Sequence, residues 1–311
     1  MGERPLSGRR VLDLSRILAG PWTGQMLADL GAEVIKIERP GQGDEGRTFG
    51  PVFLKDRDGK DTRESCMYLS ANRNKRSITV DLSKPEGQRI VRELAATSDV
   101  VLEIYRVGTL AKYGLDYAAL SVLSPKLIYC SITGFGQTGP YRDRPGYDAI
   151  FQAIGGLMSV TGEADELPGG GPMKVGPSII DVVTALFSSV AVVSALYHRD
   201  AQGGSGQHID MALLDSGIAV LDVAAVPAGP VNDLPQVFAD PQVKSRGLQV
   251  DVPHPLSDLL SLVANPIRFS QTKLDRYDPP PLLGQHTDEV LSGLLGMAQD
   301  DIARLRATKI I

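Results

Sequence analysis

The N-terminal part of the chain alternates short apolar runs with segments of helical spacing. Arg10–Ser15 is a short run of β-forming residues that ends in a turn. Residues 22–30 repeat their apolar positions at helical spacing, and Gly31 follows them as a C-terminal glycine would. Residues 32–38 again favour a strand. This order predicts a β-α-β unit at the start of the fold.

The same alternation continues toward the middle of the chain. Further strands are predicted over residues 75–81, 99–103 and 127–132, and helices over residues 85–97 and 109–122. Ser83 and Glu86 lie three residues apart around Pro85, which predicts a capping box at the first of these helices. Because strands alternate with helices, we predict an α/β fold, with a Rossmann-like large domain built on a mostly parallel sheet.

The second half of the chain is less regular. Residues 134–176 are rich in Gly and Pro, which predicts loops that line a site. Val182–Leu196 is almost wholly apolar but shorter than the roughly 20 residues of a membrane-spanning helix, so we predict a buried core helix. Gln207–Ala212 predicts a strand that leads into a helix, and residues 278–281 predict an extended link before a final pair of helices.

Composition and charge narrow the classes of protein. Hydrophobic residues make up 42% and charged residues 22% of the chain, as in a folded globular protein. The net charge of -5 argues against partners that need a basic face, so we expect neither nucleic acid nor a membrane. Met1–Arg10 lacks an apolar leader, which predicts a cytoplasmic protein. Cys66 and Cys130 have no partner at ligand spacing, so we expect neither a disulfide nor a metal site.

Several enzyme motifs do not occur in the sequence. The turn after the first predicted strand, Arg16–Gly24, lacks the Gly-x-Gly-x-x-Gly pattern that lets a backbone approach a pyrophosphate, which argues against a nicotinamide dehydrogenase. No P-loop, Gly-x-Ser-x-Gly elbow or His-Glu-x-x-His motif occurs either. Phosphoryl transfer, serine hydrolysis and zinc proteolysis therefore have no support in the sequence.

Basic residues fall where an open α/β sheet binds its ligands. Arg39, Arg106 and Lys112 lie near the ends of predicted strands, and Arg73–Arg76 is a basic cluster. These positions fit a ligand rich in phosphate. The alternative is a solvated basic surface that neighbouring acidic residues balance.

Asp181 precedes the long apolar run and has two interpretations. An aspartate at this place can cap the helix by accepting hydrogen bonds from its first free N–H groups. It can also serve as a carboxylate nucleophile, because the helix dipole and the free amides would keep it ionised. The pattern alone leaves both interpretations open.

A series of motifs in order along nearly the whole chain resembles the class III CoA-transferase family, also called the CaiB/BaiF type, which includes formyl-CoA and carnitine CoA-transferases. The motifs lie at residues 11–15, 18–21, 30–40, 74–78, 134–140, 145–148, 206–212, 227–232, 240–242 and 282–289. The resemblance implies a CoA-transferase that moves CoA from an acyl-CoA donor to a carboxylic acid acceptor. CoA would be a substrate, no cofactor would be bound permanently, and the partners would be small molecules.

The resemblance also implies residue roles. Asp181 matches the family aspartate that attacks the acyl-CoA thioester, and an aspartyl anhydride and an aspartyl-CoA thioester would follow. The positions matching CoA-binding residues are Leu18, Ala19, Arg39, Val80, Asp81, Ser83, Tyr105, Arg106, Lys112 and Tyr147. The chain departs from the family at Glu103–Gly108, where relatives commonly carry Glu-Asn-Phe-x-Pro-Gly.

Two further features bear on the substrate. Tyr147 stands where related 2-methylacyl-CoA racemases carry a histidine that transfers a proton, so we favour a transferase and keep a racemase-like isomerase as the alternative. Arg142 and Arg144 suit the second carboxylate of a dicarboxylic acid such as succinate, glutarate or oxalate, and surface arginines are the alternative.

The chain is shorter than its family in one internal region. We expect a large CoA-binding domain at residues 1–221, a remnant of a small domain at 222–260 and a segment at 261–311 that returns to the large domain. The resemblance implies that the small domain of relatives is on the order of ninety residues longer, so that of this chain is reduced. An inactive CoA-binding protein is therefore a third alternative. Family members form interlocked dimers, so we expect a homodimer.

Overall fold

The computed structural model describes residues 4–220, 249–263 and 276–311, together with the single positions 239 and 244. The described strands are β1 (Arg10–Asp13), β2 (Glu33–Glu38), β3 (Phe53–Lys55), β4 (Asp61–Ser65), β5 (Lys75–Thr79), β6 (Val100–Glu103), β7 (Ile128–Thr133), β8 (His208–Ala212), β9 (Gln249–His254) and β10 (Ser257–Val263). The described α-helices are α1 (Ala19–Asp29), α2 (Cys66–Ala71), α3 (Pro85–Ala96), α4 (Tyr117–Leu123), α5 (Asp148–Ile154), α6 (Ile179–Ala201), α7 (Leu213–Ala219), α8 (Thr287–Leu295) and α9 (Gln299–Ala307).

Six parallel strands form the central sheet, in the order β5-β2-β1-β6-β7-β8. The predicted α/β fold with a mostly parallel sheet is confirmed. The strand order reverses between β1 and β6. At such a switch point the connections leave in opposite directions and open a crevice at the carboxyl ends of the strands. The fold therefore places a ligand site beyond the ends of β1 and β6.

Helices cover both faces of this sheet. On one face α3 packs through Ile90 and Leu94 together with Val290 of α8 and Leu305 of α9, so residues 276–311 contribute to the core of the large domain. On the other face α1 and α6 pack against the sheet. Both faces exclude water from the inner strands of the sheet, so β6 and β7 are buried along their whole length, whereas the edge strand β8 is partly exposed.

The expected small-domain remnant at 222–260 lies largely outside the described residues, as do the motifs at 227–232 and 240–242. Within that region the structure describes the antiparallel hairpin β9–β10. This hairpin packs Val252 and Leu260 against Tyr68 of α2 in a small separate core.

Several element bounds differ from the sequence-based expectation. α1 begins at Ala19, earlier than predicted, because Pro21 fits the first turn of a helix, where no N–H partner is needed. The helix predicted over 109–122 is divided into a 3-10 turn and α4 by Gly114, which adopts a left-handed φ of 62°. Irregular-looking sequence also contains regular elements, since α5 lies within the predicted loop region 134–176.

The predicted capping box before α3 is wrong. Lys84 occupies the N-cap position and makes no side-chain cap. The Ser83 hydroxyl instead donates to Asp81 Oδ1 at 2.7 Å, and the Ser83 backbone N–H donates to the same oxygen at 2.9 Å. A tight Asp-Ser turn thus competes successfully with the cap for the serine side chain.

The long apolar helix contributes to the core as predicted, but it is longer and less completely buried than expected. α6 has 23 residues and a mean hydropathy of 2.2. It is therefore long and apolar enough to cross a membrane, although the core helix of a soluble protein meets the same criterion. Only one side of α6 is buried, through residues such as Thr184, Ala185 and Val192. On its other side, Val190 is 65% and Tyr197 is 62% exposed.

Candidate active site

Two adjoining cavities lie at the carboxyl edge of the sheet. The larger, which we call the outer cavity, has a volume of about 580 Å³ and lies beyond the ends of β1, β2 and β5. The second, the inner cavity, has a volume of about 410 Å³ and contains Asp181. Arg16, Glu45 and Tyr105 line both. The two cavities therefore form one elongated site at the crevice that the strand order predicts.

Most of the predicted site residues lie along this elongated site. Arg39, Val80, Asp81, Ser83 and Tyr105 line the outer cavity, whereas Leu18, Tyr105, Arg106, Tyr147 and Asp181 line the inner one. Ala19 is buried, and its backbone N–H interacts with the Asp181 carboxylate. Lys112 is exposed and does not line either cavity, although its neighbour Tyr113 lines the outer one.

Residues that the sequence did not single out also contribute to the site. Arg16 forms an ion pair with Glu45 at 2.6 Å, and its guanidinium lies 5.2 Å from the centre of the Tyr105 ring. These three residues surround the junction of the two cavities. Arg63, on the β3–β4 hairpin, lines the outer cavity. Arg16 could have been inferred from its place directly after β1, but the hairpin gave no signal in its polar sequence.

The basic cluster Arg73–Arg76 does not line the site. Acidic neighbours balance its charges, as the alternative expected, but Arg73 and Lys75 are buried rather than solvated. Arg73 pairs with Asp29 at 2.6 Å, and Lys75 pairs with Asp13 at 2.9 Å. Both pairs are buried and join β5 to α1 and β1. Their positive charges are therefore neutralised within the fold rather than offered to a phosphate.

Asp181 is in the first turn of α6, but it is not the helix cap. Ser178 occupies the N-cap position without a side-chain hydrogen bond. The cap comes from α5, where Asp148 Oδ1 accepts the N–H of Ile180 at 2.7 Å and the N–H of Asp181 at 3.2 Å. The Asp148 carboxylate is further bonded by the amide of Gln152. Because Asp148 performs the capping, the Asp181 carboxylate remains available to the cavity.

The environment of Asp181 makes it an unusually basic carboxylate. Burial and the nearby Asp148 carboxylate raise its pKa to about 7, while the Ala19 N–H acts in the opposite direction. The expectation that the helix terminus would keep Asp181 fully ionised is therefore wrong, since desolvation outweighs it. Near pH 7 both the protonated and the ionised forms are populated, and a more basic carboxylate is the stronger nucleophile when ionised.

The turn between β1 and α1 has a strained backbone beside this carboxylate. Ile17 has a φ of 68°, a left-handed conformation that costs a β-branched residue about 1–3 kcal/mol. Its N–H donates to Asp44 Oδ1 at 2.9 Å. Gly20 is needed in the same turn, because a Cβ there would lie 2.3 Å from the Ser15 Cβ. This close approach holds the first turn of α1 against Ser15 at the start of the β1–α1 turn.

Glu103, at the end of β6, is a second buried carboxyl group near the site. Burial raises its pKa to about 7. Its Oε2 accepts the N–H of Tyr105 at 2.7 Å and so fixes the backbone that carries Tyr105 into the cavities. The sequence departs from the family pattern after this glutamate, and the structure keeps Tyr105 at the junction of the site.

The residues that the structure describes contain no group of three or more His, Cys, Asp or Glu side chains able to hold a metal ion. The site is therefore described by its carboxylates, arginines and tyrosines. Such a set can bind an extended anionic ligand and present a carboxylate nucleophile to it.

Comparison with known proteins gives the same assignment over most of the chain. A family model described as CoA-transferase family III matches residues 6–226 and 218–287. The chain is 40% identical to succinate–glutarate CoA-transferase of Agrobacterium fabrum, over 93% of this chain and 96% of that protein. It is 33% identical to human succinyl-CoA:glutarate CoA-transferase, over 99% of this chain and 90% of that protein.

A solved structure shares the fold. A CAIB/BAIF family protein from Brucella suis superposes with a TM-score of 0.83 at 36% identity, covering 94% of this chain and 100% of that chain. The predicted α/β architecture and the predicted family therefore agree with a crystallographic neighbour.

The comparisons also locate an internal difference in length. The alignment with the Agrobacterium fabrum protein covers 388 positions, whereas 93% of 311 residues is about 289, so about 99 positions have no residue in this chain. The two segments matched by the family model overlap at 218–226, where the continuous match breaks. The difference in length thus follows α7, as the sequence predicted. The chain belongs to the class III CoA-transferase family.

Proposed function

We propose that this enzyme transfers CoA between two dicarboxylic acids and that Asp181 is its nucleophile. The observation that carries the proposal is the position of Asp181 in the inner cavity, with its capping role taken over by Asp148. A partly buried carboxylate with no ion pair in the described part of the chain is costly for the fold. Reactivity toward a thioester explains its presence.

The two adjoining cavities support the binding of an extended ligand such as CoA. We infer that the nucleotide portion occupies the outer cavity, where Arg39 and Arg63 face a phosphate-rich ligand. The narrower junction between Arg16 and Tyr105 then takes the pantetheine arm. This arrangement directs the thioester toward Asp181 in the inner cavity.

The chemistry follows from two acyl exchanges at Asp181. Its ionised carboxylate attacks the thioester carbonyl, the carbon–sulfur bond breaks, and CoA leaves as a thiolate, which gives a mixed anhydride. The thiolate then attacks the Asp181 carbonyl and releases the donor acid. The acceptor carboxylate attacks the resulting aspartyl-CoA thioester, and the freed thiolate takes the acceptor acyl group. Each bond that forms replaces one that breaks, so no external reductant or energy source is required.

Two observations support dicarboxylic substrates. The relatives at 40% and 33% identity are named for succinate and glutarate. Arg142 and Arg144 line the same cavity as Asp181. The Arg144 guanidinium lies 3.9 Å from the centre of the Tyr141 ring, which holds its planar group in place without neutralising its charge. We infer that these arginines bind the distal carboxylate.

A second candidate, CoA binding without transfer, is favoured by the internal difference in length. An anhydride intermediate must be shielded from water, and about 99 aligned positions of a relative have no residue in this chain (388 positions against about 289 residues). With less cover over the inner cavity, water would compete with the thiolate and the acceptor acid. Hydrolysis or binding alone would then replace transfer.

A homodimer is also proposed, and the exposed side of α6 supports it. Leu186, Phe187, Val190, Val193 and Tyr197 expose apolar surface along one side of this helix. A contiguous apolar surface of this kind is characteristic of an interface. Light scattering of the purified protein should give twice the mass of the chain, and a monomer at micromolar concentration would contradict the proposal.

The function is tested by incubating the protein with succinyl-CoA and carbon-13-labelled glutarate and following all products by mass spectrometry. Transfer gives labelled glutaryl-CoA and free succinate in equal amounts. Release of free CoA without labelled glutaryl-CoA would support hydrolysis instead, and bound but unchanged succinyl-CoA would support the binding protein. Asp181→Asn serves as the control that should abolish transfer while leaving CoA binding in place.

A further inference from the structure

The β1–α1 turn contains a conformation that its own sequence does not favour. Among the described non-glycine residues, only Ile17, Asn74 and Lys309 have positive φ angles, and Ile17 is the only β-branched one. Isoleucine avoids this region because its branched Cβ crowds the backbone. Something outside the turn must therefore hold Ile17 in place.

Asp44 provides that support. It lies beyond the end of β2 and is 4% exposed. Its Oδ1 accepts the N–H of Ile17 at 2.9 Å and the N–H of Gly46 at 2.8 Å. A carboxylate oxygen that receives two backbone N–H groups fixes the position of both segments. The Ile17 backbone is thus tied to the loop that follows β2.

Lys36 anchors Asp44 from the opposite side. Its Nζ lies 2.9 Å from Asp44 Oδ2 and donates to the Ser15 carbonyl at 2.8 Å. Both partners of this ion pair are buried, so water does not compete for their contact. Asp44 and Lys36 therefore hold the turn at both Ser15 and Ile17.

We propose that Asp44 is a positioning residue for Asp181, because it holds Ile17 in the left-handed conformation that directs the Ala19 N–H toward the nucleophile. Only Leu18 separates Ile17 from Ala19, so a change in the Ile17 backbone reorients the first turn of α1. This inference rests on the proposed role of Asp181 and adds the residue that orients its hydrogen-bond donor.

The test is a double-mutant cycle with Asp44→Ala and Ile17→Gly. Glycine adopts positive φ without steric cost, so Ile17→Gly should make the turn less dependent on Asp44. We expect Asp44→Ala to lower kcat about 10- to 100-fold with KM for succinyl-CoA changed less than about threefold. In the Ile17→Gly background the same substitution should lower kcat less than about threefold.

A second measurement tests the effect of the β1–α1 turn on Asp181 without requiring catalysis. The Asp181 carboxyl carbon is followed by carbon-13 NMR titration and assigned with Asp181→Asn. Loss of the Ala19 N–H should raise the Asp181 pKa in Asp44→Ala, and Ile17→Gly should restore it in the double variant. The charged groups that share this environment are Asp148, Glu45, Arg16, Arg106, Arg142 and Arg144, and all are unchanged in the test.

Two further variants separate positioning from stability. Asp29→Ala removes another buried carboxylate, which pairs with Arg73 away from the turn, and should lower Tm without changing kcat or the Asp181 pKa. If Asp44→Ala does not fold, Asp44→Asn replaces it, and its smaller loss of kcat should likewise disappear with Ile17→Gly.

The outcomes distinguish this inference from the proposed function. A wild-type enzyme without transferase activity contradicts the function, and the NMR titration still decides the role of Asp44. An active enzyme in which Asp44→Ala leaves kcat and the Asp181 pKa unchanged contradicts the inference alone. Equal losses of kcat with and without Ile17→Gly would also overturn it.

Discussion

Two carboxylates at the same edge of the sheet, Asp13 and Asp181, have different surroundings. Asp13, at the end of β1, lies 2.9 Å from Lys75 and is also close to Lys36. Burial opposes its ionisation, but the two lysines outweigh burial and lower its pKa. Asp181 is partly buried beside the Asp148 carboxylate, and desolvation together with that charge raises its pKa to about 7.

The difference teaches that burial alone does not identify a reactive carboxylate. A carboxylate paired with a buried lysine stabilises the fold and is held ionised, so its basicity is low. A carboxylate without such a partner destabilises the fold, and this cost is retained where the group performs chemistry. The predictions below test whether these two roles are as separate as the structure indicates.

The largest effect is expected for Asp181→Asn. The amide cannot attack a thioester, so transfer should fall by about 10⁴-fold or more in a succinyl-CoA to glutarate assay. Its unfolding free energy at pH 8 should stay equal to that of the wild type or rise, because an unpaired buried charge is removed. Asp215→Asn, at an exposed position in the first turn of α7, is the matched control and should keep full activity.

Asp13→Asn should have the opposite profile. It leaves Lys75 buried without its carboxylate partner, and removing one member of a buried pair costs about 3–5 kcal/mol of unfolding free energy. Urea denaturation at pH 7 measures this loss. Unchanged stability would mean that the pair is not structural, and the contrast with Asp181 would no longer hold.

The pH dependence of kcat/KM and of stability should also distinguish Asp181 from Asp13. Only ionised Asp181 attacks, so kcat/KM should fall on the acid side with a midpoint near its pKa of about 7. Because folding raises this pKa, the contribution of Asp181 to stability is present below the unfolded pKa near 3.8 and is lost as pH rises through about 7. The stability of the wild type relative to Asp181→Asn should therefore decrease between pH 4 and pH 8.

The smallest effect is expected for Arg144→Met, which keeps an apolar stem but removes the charge. Loss of one charged contact should raise KM for glutarate about 10-fold and leave KM for a monocarboxylic acceptor unchanged. Arg57→Met changes an exposed arginine paired with Asp258 outside the cavities, and it should leave both values unchanged. Equal changes for the two acceptors would remove Arg144 from substrate recognition.

Much of the large domain could be predicted from local pattern. Strand-forming runs bounded by turns predicted the six strands of the central sheet, most clearly for β6 and β7, which are buried on both faces. The β3–β4 hairpin was missed, since β3 has only three residues and β4 is polar. The first and last residues of α6 were missed as well, because periodicity within an apolar run does not show where a helix begins.

The candidate site was predictable only through the family motifs. Asp181 next to an apolar helix left a cap and a nucleophile equally acceptable, and the decision needed Asp148, which lies 33 residues away in sequence. The helix terminus suggested that Asp181 would stay ionised. Desolvation and the Asp148 carboxylate instead raise its pKa. Such effects depend on tertiary neighbours that no local pattern contains.

The most direct test of the central claim is chemical trapping of the nucleophile. The protein is incubated with succinyl-CoA, quenched with hydroxylamine, digested and analysed by mass spectrometry. We predict a hydroxamate on Asp181, dependent on succinyl-CoA and absent from Asp13 in the same sample. A labelled Asp13 or another carboxylate with Asp181 unmodified, in an enzyme that transfers CoA, would contradict the account.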